Sequence, residues 1–328
     1  MTRSLMRRGL SPRRLAAAAL IAATTAFSPT GASAADKLVL LLDWFVNPDH
    51  APLLVAQEQG YFTEEGLDVE MIAPADPSDP PKMVAAKRAD LAVTYQPQLI
   101  AMVHEGLPLK RVSTLVATPL NSLIVLKDGP IQTLADLKGR RIGYSIGGFE
   151  DVLLGRMLAS AGLTTDDVTL INVNFALSPS VMSGQVDAVI GAYRNVELVQ
   201  MDLEGRPGRA FLVEEHGIPP YDELVIAAHA DNAADPRFAA FNRALEKGVQ
   251  FLVNHPEASW ELYIRGRPEV ADEGNRRSFF QTISRFAHSP AALDHGRWRR
   301  FATFMADAGL IDAPGRWRTM PRTGAERH

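Results

Sequence analysis

The chain has 328 residues, 46% hydrophobic, 22% charged and 7% aromatic, which is enough apolar material for a substantial core and unlike a disordered chain. It contains no cysteine, and this excludes disulfides, thiolate metal sites, a Cys nucleophile and lipidation of a processed N-terminal Cys. The net charge of −4 joins two unlike parts: residues 1–34 hold five Arg and no acid, and the rest carries 29 bases against 38 acids, a balance that speaks against a nucleic-acid partner.

In chain order, Arg3, Arg7, Arg8, Arg13 and Arg14 precede an uncharged run from Leu15 to Phe27, and Ala32, Ser33 and Ala34 place small residues where a signal peptidase reads. This predicts an export signal cleaved after Ala34 and a periplasmic mature protein. The apolar run falls well short of the roughly 20 residues that span a bilayer. Neither Arg pair sits in a twin-arginine motif, so the export route stays open.

From Lys37 onward short apolar strands alternate with helical stretches, the pattern of a mainly parallel sheet covered by helices. The reading gives a strand at 37–42, a helix at 51–59 ended by Gly60, and strands at 67–72 and, after a helix at 81–87, at 91–94. Further strands fall at 111–117 and 122–126. The pattern then restarts with a strand at 141–145, a helix at 149–161 closed by Gly162, and strands at 168–173 and 187–191. A strand at 223–229 precedes a helical remainder. There Phe238, Phe241, Leu245, Val249 and Leu252 recur at spacings of three and four, which buries one helix face. Helices are expected around 272–286 and 294–308, and the polar segment 315–328 lacks periodicity.

An internal echo marks two halves: the run from Lys87 to Val93 resembles the run from Gly184 to Ile190, each with a turn Asp before a buried strand, and each reaches a tyrosine, Tyr95 or Tyr193. Ligands of open α/β sheets sit beyond the carboxyl ends of the strands, so the residues just after those ends should line one crevice between facing lobes. That rule selects Asp43, Trp44, Asn47 and His50; Tyr95 and Gln96; Gly147 and Gly148; and Tyr193, Asn195 and Glu197. Trp44 can stack on a planar ligand or simply pack in the core. The eight His show no metal-binding spacing, so no metal site is expected. The Gly147-Gly148 turn lacks dinucleotide spacing, and Glu150 and Asp151 would repel a phosphate there. Glu197, four residues beyond Tyr193, suits a ligand edge with paired N–H donors, or it is a solvated helix residue. No Gly-x-Ser-x-Gly elbow or other activated nucleophile is apparent.

The stretch Leu42-Asp43-Trp44-Phe45-Val46-Asn47-Pro48-Asp49-His50-Ala51-Pro52, followed by Ala56-Gln57-Glu58-Gln59-Gly60-Tyr61-Phe62 and Glu65-Gly66-Leu67-Asp68-Val69-Glu70, resembles the thiamine-pyrimidine family. The resemblance continues through Pro74-Ala75-Asp76-Pro77-Ser78-Asp79, Leu137-Lys138-Gly139-Arg140-Arg141-Ile142-Gly143-Tyr144 and the run from Asp187 to Pro207. That family holds bacterial periplasmic proteins that deliver formylaminopyrimidine or hydroxymethylpyrimidine to an ABC importer, and also fungal thiamine-pyrimidine synthases. The resemblance implies a two-lobed type II periplasmic binding protein fold of the α/β class, with the first lobe completed by the C-terminal helices. The expected division is an export signal at 1–34, a first lobe at 35–125 and 224–312, a second at 126–223 and a disordered tail at 313–328. The strands at 122–126 and 223–229 are expected to carry the chain between lobes.

The synthases hold pyridoxal phosphate on a lysine and consume a histidine. At the matching positions this chain has Thr94 and Gln98, and it lacks their cysteine-rich segment. The resemblance therefore implies a carrier that does no chemistry and needs no cofactor: a monomer whose partners are a pyrimidine and an inner-membrane ABC permease. Trp44 is expected to stack on the ring with Tyr193 or Tyr95, Glu197 to meet its amino edge, and Asn47 and His50 to contact polar substituents. The alternatives are the synthase, a carrier of another planar solute such as a riboflavin precursor or aromatic sulfonate, and an exported sensor subunit.

Overall fold

A computed structural model describes residues 35–232 and 234–312, so the expected export signal and tail lie outside the described residues. The first half runs β1 (Asp36–Leu41), α1 (Ala51–Glu58), α2 (Tyr61–Glu64), β2 (Leu67–Ile72), α3 (Pro80–Ala85), β3 (Leu91–Thr94), α4 (Gln96–His104) and β4 (Leu109–Val116). The second runs β5 (Asn121–Leu126), β6 (Arg141–Tyr144), α5 (Glu150–Ser160), β7 (Thr169–Asn172), α6 (Leu177–Met182), β8 (Ala188–Tyr193), α7 (Glu197–Leu203) and β9 (Gly208–Leu212). The chain ends with β10 (Leu224–His229), α8 (Pro236–Asn254), α9 (Pro256–Ile264), α10 (Glu273–Thr282) and α11 (His295–Asp307).

The strands form two five-stranded sheets, ordered β2-β1-β3-β10-β4 and β7-β6-β8-β5-β9. In each, three parallel strands are followed by an antiparallel one and an edge strand. This is a two-lobed α/β fold. The echo seen in the sequence occupies equivalent places, since β3 and β8 are each third from the parallel edge. Its turn aspartates also do the same work: Asp90 accepts the Val39 amide of β1 at 2.9 Å, and Asp187 accepts the Arg141 amide of β6 at 2.9 Å. Each carboxylate thereby satisfies a donor that the short neighbouring strand leaves unpaired.

The lobes exchange one strand. β5 follows β4 in sequence yet lies wholly in the second sheet, and β10 returns from β9 to the first. The change-over therefore falls at 117–120, ahead of the boundary at 125 read from the sequence, and the return lies at 213–223, ahead of β10. A strand's own composition does not say which sheet will pair it, and this explains the shift. The reading also assigns nothing to β9 or to α4, where Gln96 opens a helix with Pro97 in its first turn. The expected helix at 272–286 stops at Thr282 and continues as a 3-10 turn.

The apolar stripe of α8 is buried as its spacing predicted. The helix packs on α1 so closely that a Cβ on Gly248 would lie 2.6 Å from the Pro52 carbonyl oxygen. No helix among the described residues is long and apolar enough to cross a membrane.

Candidate functional site

The parallel strands of both sheets end at one cavity of about 280 Å³. The loop after β1 supplies Asp43, Trp44, Phe45, Asn47 and Asp49, and the end of β3 supplies Tyr95. From the second lobe come Phe149 and Glu150 after β6, Phe175, Leu177, Ser178 and Pro179 after β7, Gly191 and Tyr193 from the end of β8, and Val196, Glu197 and Gln200 beyond it. Asn121, at the start of β5, lies among them, and its side-chain oxygen accepts the Gly191 amide at 3.1 Å.

Aromatic pairs close the cavity across the two lobes. Trp44 and Phe45 meet Phe175 at ring-centroid distances of 4.6 and 4.5 Å, and Tyr95 stacks on Phe149 at 5.2 Å. The Tyr95 hydroxyl donates to Asp43 Oδ2 at 2.9 Å. Asp43 Oδ1 is 2.8 Å from His50 Nε2, and His50 Nδ1 accepts the Asn47 amide at 3.3 Å. Those contacts hold the loop after β1 in the shape that carries Trp44 into the gap, where the indole rests against the second lobe's apolar cluster.

Asp43, Asp49, Glu150 and Glu197 are the acids of the lining, and no Lys, Arg or His lines the cavity among the described residues. Burial pushes the Glu150 and Glu197 carboxyls up to about 8 and Asp49 up to about 6. Glu197 Oε2 accepts the Tyr193 amide at 2.6 Å. Glu150 accepts the Ser145 and Ile146 amides at 2.7 and 3.2 Å. Asp49 Oδ2 and the Tyr193 hydroxyl are buried with no hydrogen-bond partner among the described residues. Such a cavity favours a flat ligand rich in N–H donors and disfavours an anion.

Of the residues read from the sequence, Asp43, Trp44, Asn47, Tyr95, Tyr193 and Glu197 line this cavity, and His50, Gln96, Gly147, Gly148 and Asn195 do not. His50 is fully buried behind Asp43. The Gln96 side chain turns away to accept the Asp222 amide at 2.7 Å. The turn amides expected at Gly147 and Gly148 are replaced by those of Ser145 and Ile146, which the Glu150 carboxyl occupies itself. Asn195 Nδ2 lies 2.7 Å from Asp49 Oδ1 and 2.6 Å from Thr282 Oγ1, which makes it a tie between the lobes. Sequence reasoning missed Asp49, Glu150, Phe149 and Phe175. The strand-end rule reaches Glu150, which follows the turn after β6; its charge had been read there only as repulsion.

Thr94 and Gln98 bond to each other at 2.6 Å, and neither lines the cavity. A lysine to form a Schiff base is absent from the lining, so the residues present do not fit a covalently held pyridoxal phosphate.

Residues 47–259 match the protein family described as NMT1/THI5 like. A Haemophilus influenzae protein described as a thiamine biosynthesis protein is 49% identical over 85% of this chain and 89% of its own length. The formylaminopyrimidine-binding protein of Halalkalibacterium halodurans is 35% identical over 72% of each chain. The 4-amino-5-hydroxymethyl-2-methylpyrimidine phosphate synthase of Aspergillus parasiticus is 28% identical over 85% of this chain and 84% of its own length. Among solved structures, the alkanesulfonate-binding protein of Xanthomonas axonopodis pv. citri bound to MOPS superposes with a TM-score of 0.66 at 16% identity, covering 86% of this chain and 96% of that one.

Proposed function

Because the chain belongs to the NMT1/THI5-like family and has the fold of periplasmic binding proteins, we propose that it captures a thiamine-precursor aminopyrimidine and delivers it to an ABC permease in the inner membrane. The observation that carries this reading is the cavity between the lobes, with aromatic rings on both walls and carboxyl groups instead of cations. A pyrimidine ring stacks on Trp44 and Tyr193, and its amidine-like edge donates to Glu197. The basic, apolar and small-residue order of segment 1–34 supports export. The 35% identity to a formylaminopyrimidine-binding protein supports the ligand class.

Capture follows from geometry. Each lobe contributes only part of the lining, so a ligand touches all of its partners only when the lobes are together, and its binding energy favours that arrangement. The ligand then leaves unaltered, a monomeric carrier needing no cofactor. The likeness to an alkanesulfonate-binding protein concerns fold alone, and a sulfonate would meet Asp49, Glu150 and Glu197 with no cation beside them.

Calorimetry with formylaminopyrimidine, hydroxymethylpyrimidine and an alkanesulfonate tests the proposal. Both pyrimidines are expected to bind and the sulfonate to fail. Ligand-induced quenching of indole fluorescence is expected to vanish in Trp44→Ala, which serves as the control for the other three Trp: Trp260 and Trp298 lie in the core and Trp317 lies outside the described residues. Binding of the sulfonate alone, or release of a pyrimidine during incubation with pyridoxal phosphate and iron, would overturn it.

A further inference from the structure

An aminopyrimidine edge satisfies Glu197, yet the second lobe presents another carboxyl group to the same cavity. Glu150 is the first residue of α5, and its side chain turns back over the strand ends. It lies against the bare Cα of Gly191, where a Cβ would come within 2.3 Å of its carboxyl carbon and of Oε1. Gly191 adopts φ +91°, a conformation that L side chains rarely adopt, so backbone and carboxyl group fit one another. Oε2 accepts the Ser145 and Ile146 amides, and no group among the described residues donates to Oε1.

Glu197 is held by the amide of Tyr193, two residues beyond Gly191, so both carboxyls lie beside the end of β8. Across the gap, Asp49 is 1% exposed and lines the cavity with Oδ2 unpartnered. Spare acceptor oxygens therefore face the ligand from more than one side, and no Lys, Arg or His balances them among the lining residues.

Resting on the aminopyrimidine reading above, we infer that the cavity selects a planar aminopyrimidine whose side substituent is itself a protonated amine, held as an ion pair by Glu150. A hydroxyl or formamide substituent offers a neutral donor, whereas an ammonium offers both donors and the missing positive charge. Burial keeps the Glu150 carboxyl protonated near neutral pH in the absence of that charge. Seating the ammonium against it displaces the carboxyl proton to solvent, so one proton is released at Glu150 in addition to any released where the amidine edge meets Glu197.

The test is calorimetry on the purified protein at pH 7 with 4-amino-2-methylpyrimidines carrying 5-hydroxymethyl, 5-formylaminomethyl or 5-aminomethyl groups. The aminomethyl compound is expected to bind at least about tenfold more tightly than the hydroxymethyl compound. Glu150→Gln, checked for folding by its melting curve, is expected to erase that preference. Titrations in two buffers of different ionisation enthalpy need no variant, and they are expected to show about one proton more released with the aminomethyl compound than with the other two. An unchanged preference in Glu150→Gln, or no extra proton release with the aminomethyl compound, overturns this inference and leaves the proposed function standing. Failure of all three pyrimidines to bind overturns both.

Discussion

At the scale of single residues, the chemistry of the cavity is that of buried carboxyls without cations. Glu197→Gln keeps the shape and an acceptor for the Tyr193 amide but cannot take on the charge that an amidine edge draws out when it displaces the buried carboxyl proton. Affinity for formylaminopyrimidine is expected to weaken by roughly 1.5–3 kcal/mol, the range for hydrogen bonds to charged groups, as read by calorimetry. Unchanged affinity would remove Glu197 from the site. The same variant carries a stability signature with a definite sign. Burial raises Glu197 to about 8, above its unfolded value, so between roughly pH 4.5 and 8 the unfolded chain has released a proton that the folded one still holds. Glu150 behaves likewise. Stability of the ligand-free protein is thus expected to fall as pH rises through that window, and thermal melts of Glu197→Gln are expected to show a shallower fall. Trp44, Tyr193 and Glu197 were legible as site candidates because the strand-end rule depends only on local pattern. Asn195 was misread because its neighbours Asp49 and Thr282 are far away in sequence.

At the scale of elements, the two passages between lobes are tied by one side chain. Glu223, just before β10, accepts the Leu120 and Asn121 amides at 2.6 and 2.9 Å, and Tyr221 donates to it at 3.1 Å. Asn121 opens β5, so this carboxyl joins the chain entering the second lobe to the chain leaving it. Glu223→Ala leaves two buried amides without acceptors, each costing about 1–3 kcal/mol. The midpoint of urea unfolding is therefore expected to drop sharply, and Glu223→Gln, which keeps an acceptor oxygen, is expected to recover most of the loss. Equal loss in both variants would show that the charge, not the amide pairing, matters. The exchange of β5 and β10 between sheets explains why the sequence reading misjudged the boundary. Both strands are buried apolar runs that suit either sheet, and pairing alone decides.

At the scale of the whole molecule, the lobes meet through polar ties as well as rings. Asn195 of the second lobe donates to Asp49 of the first and to Thr282 of α10, and Arg277 of α10 reaches Asp202 of α7 at 3.5 Å. Asn195→Ala removes the buried tie; Asn195 is not a lining residue, and its partner Asp49, which is, keeps the contact from Thr282. In small-angle scattering the ligand-free variant is expected to have a larger radius of gyration than the wild-type chain. Ligand dissociation in stopped-flow fluorescence is expected to be faster, because the closed arrangement loses a contact that ligand binding does not replace. Identical scattering and dissociation rates would assign Asn195 to local packing alone.

The sequence by itself determined the alternation of strands and helices, the repeat that gives two sheets of one plan, the buried stripe of α8 and the Trp, Tyr and Glu residues at strand ends. All of these follow from short-range periodicity and turn chemistry. Only the tertiary structure decided that β5 and β10 change sheets, that Glu150 folds back over Gly191, and that Asn195 binds the other lobe instead of facing the cavity. Those outcomes depend on groups distant in sequence competing for the same buried hydrogen bonds, and no local pattern records that competition.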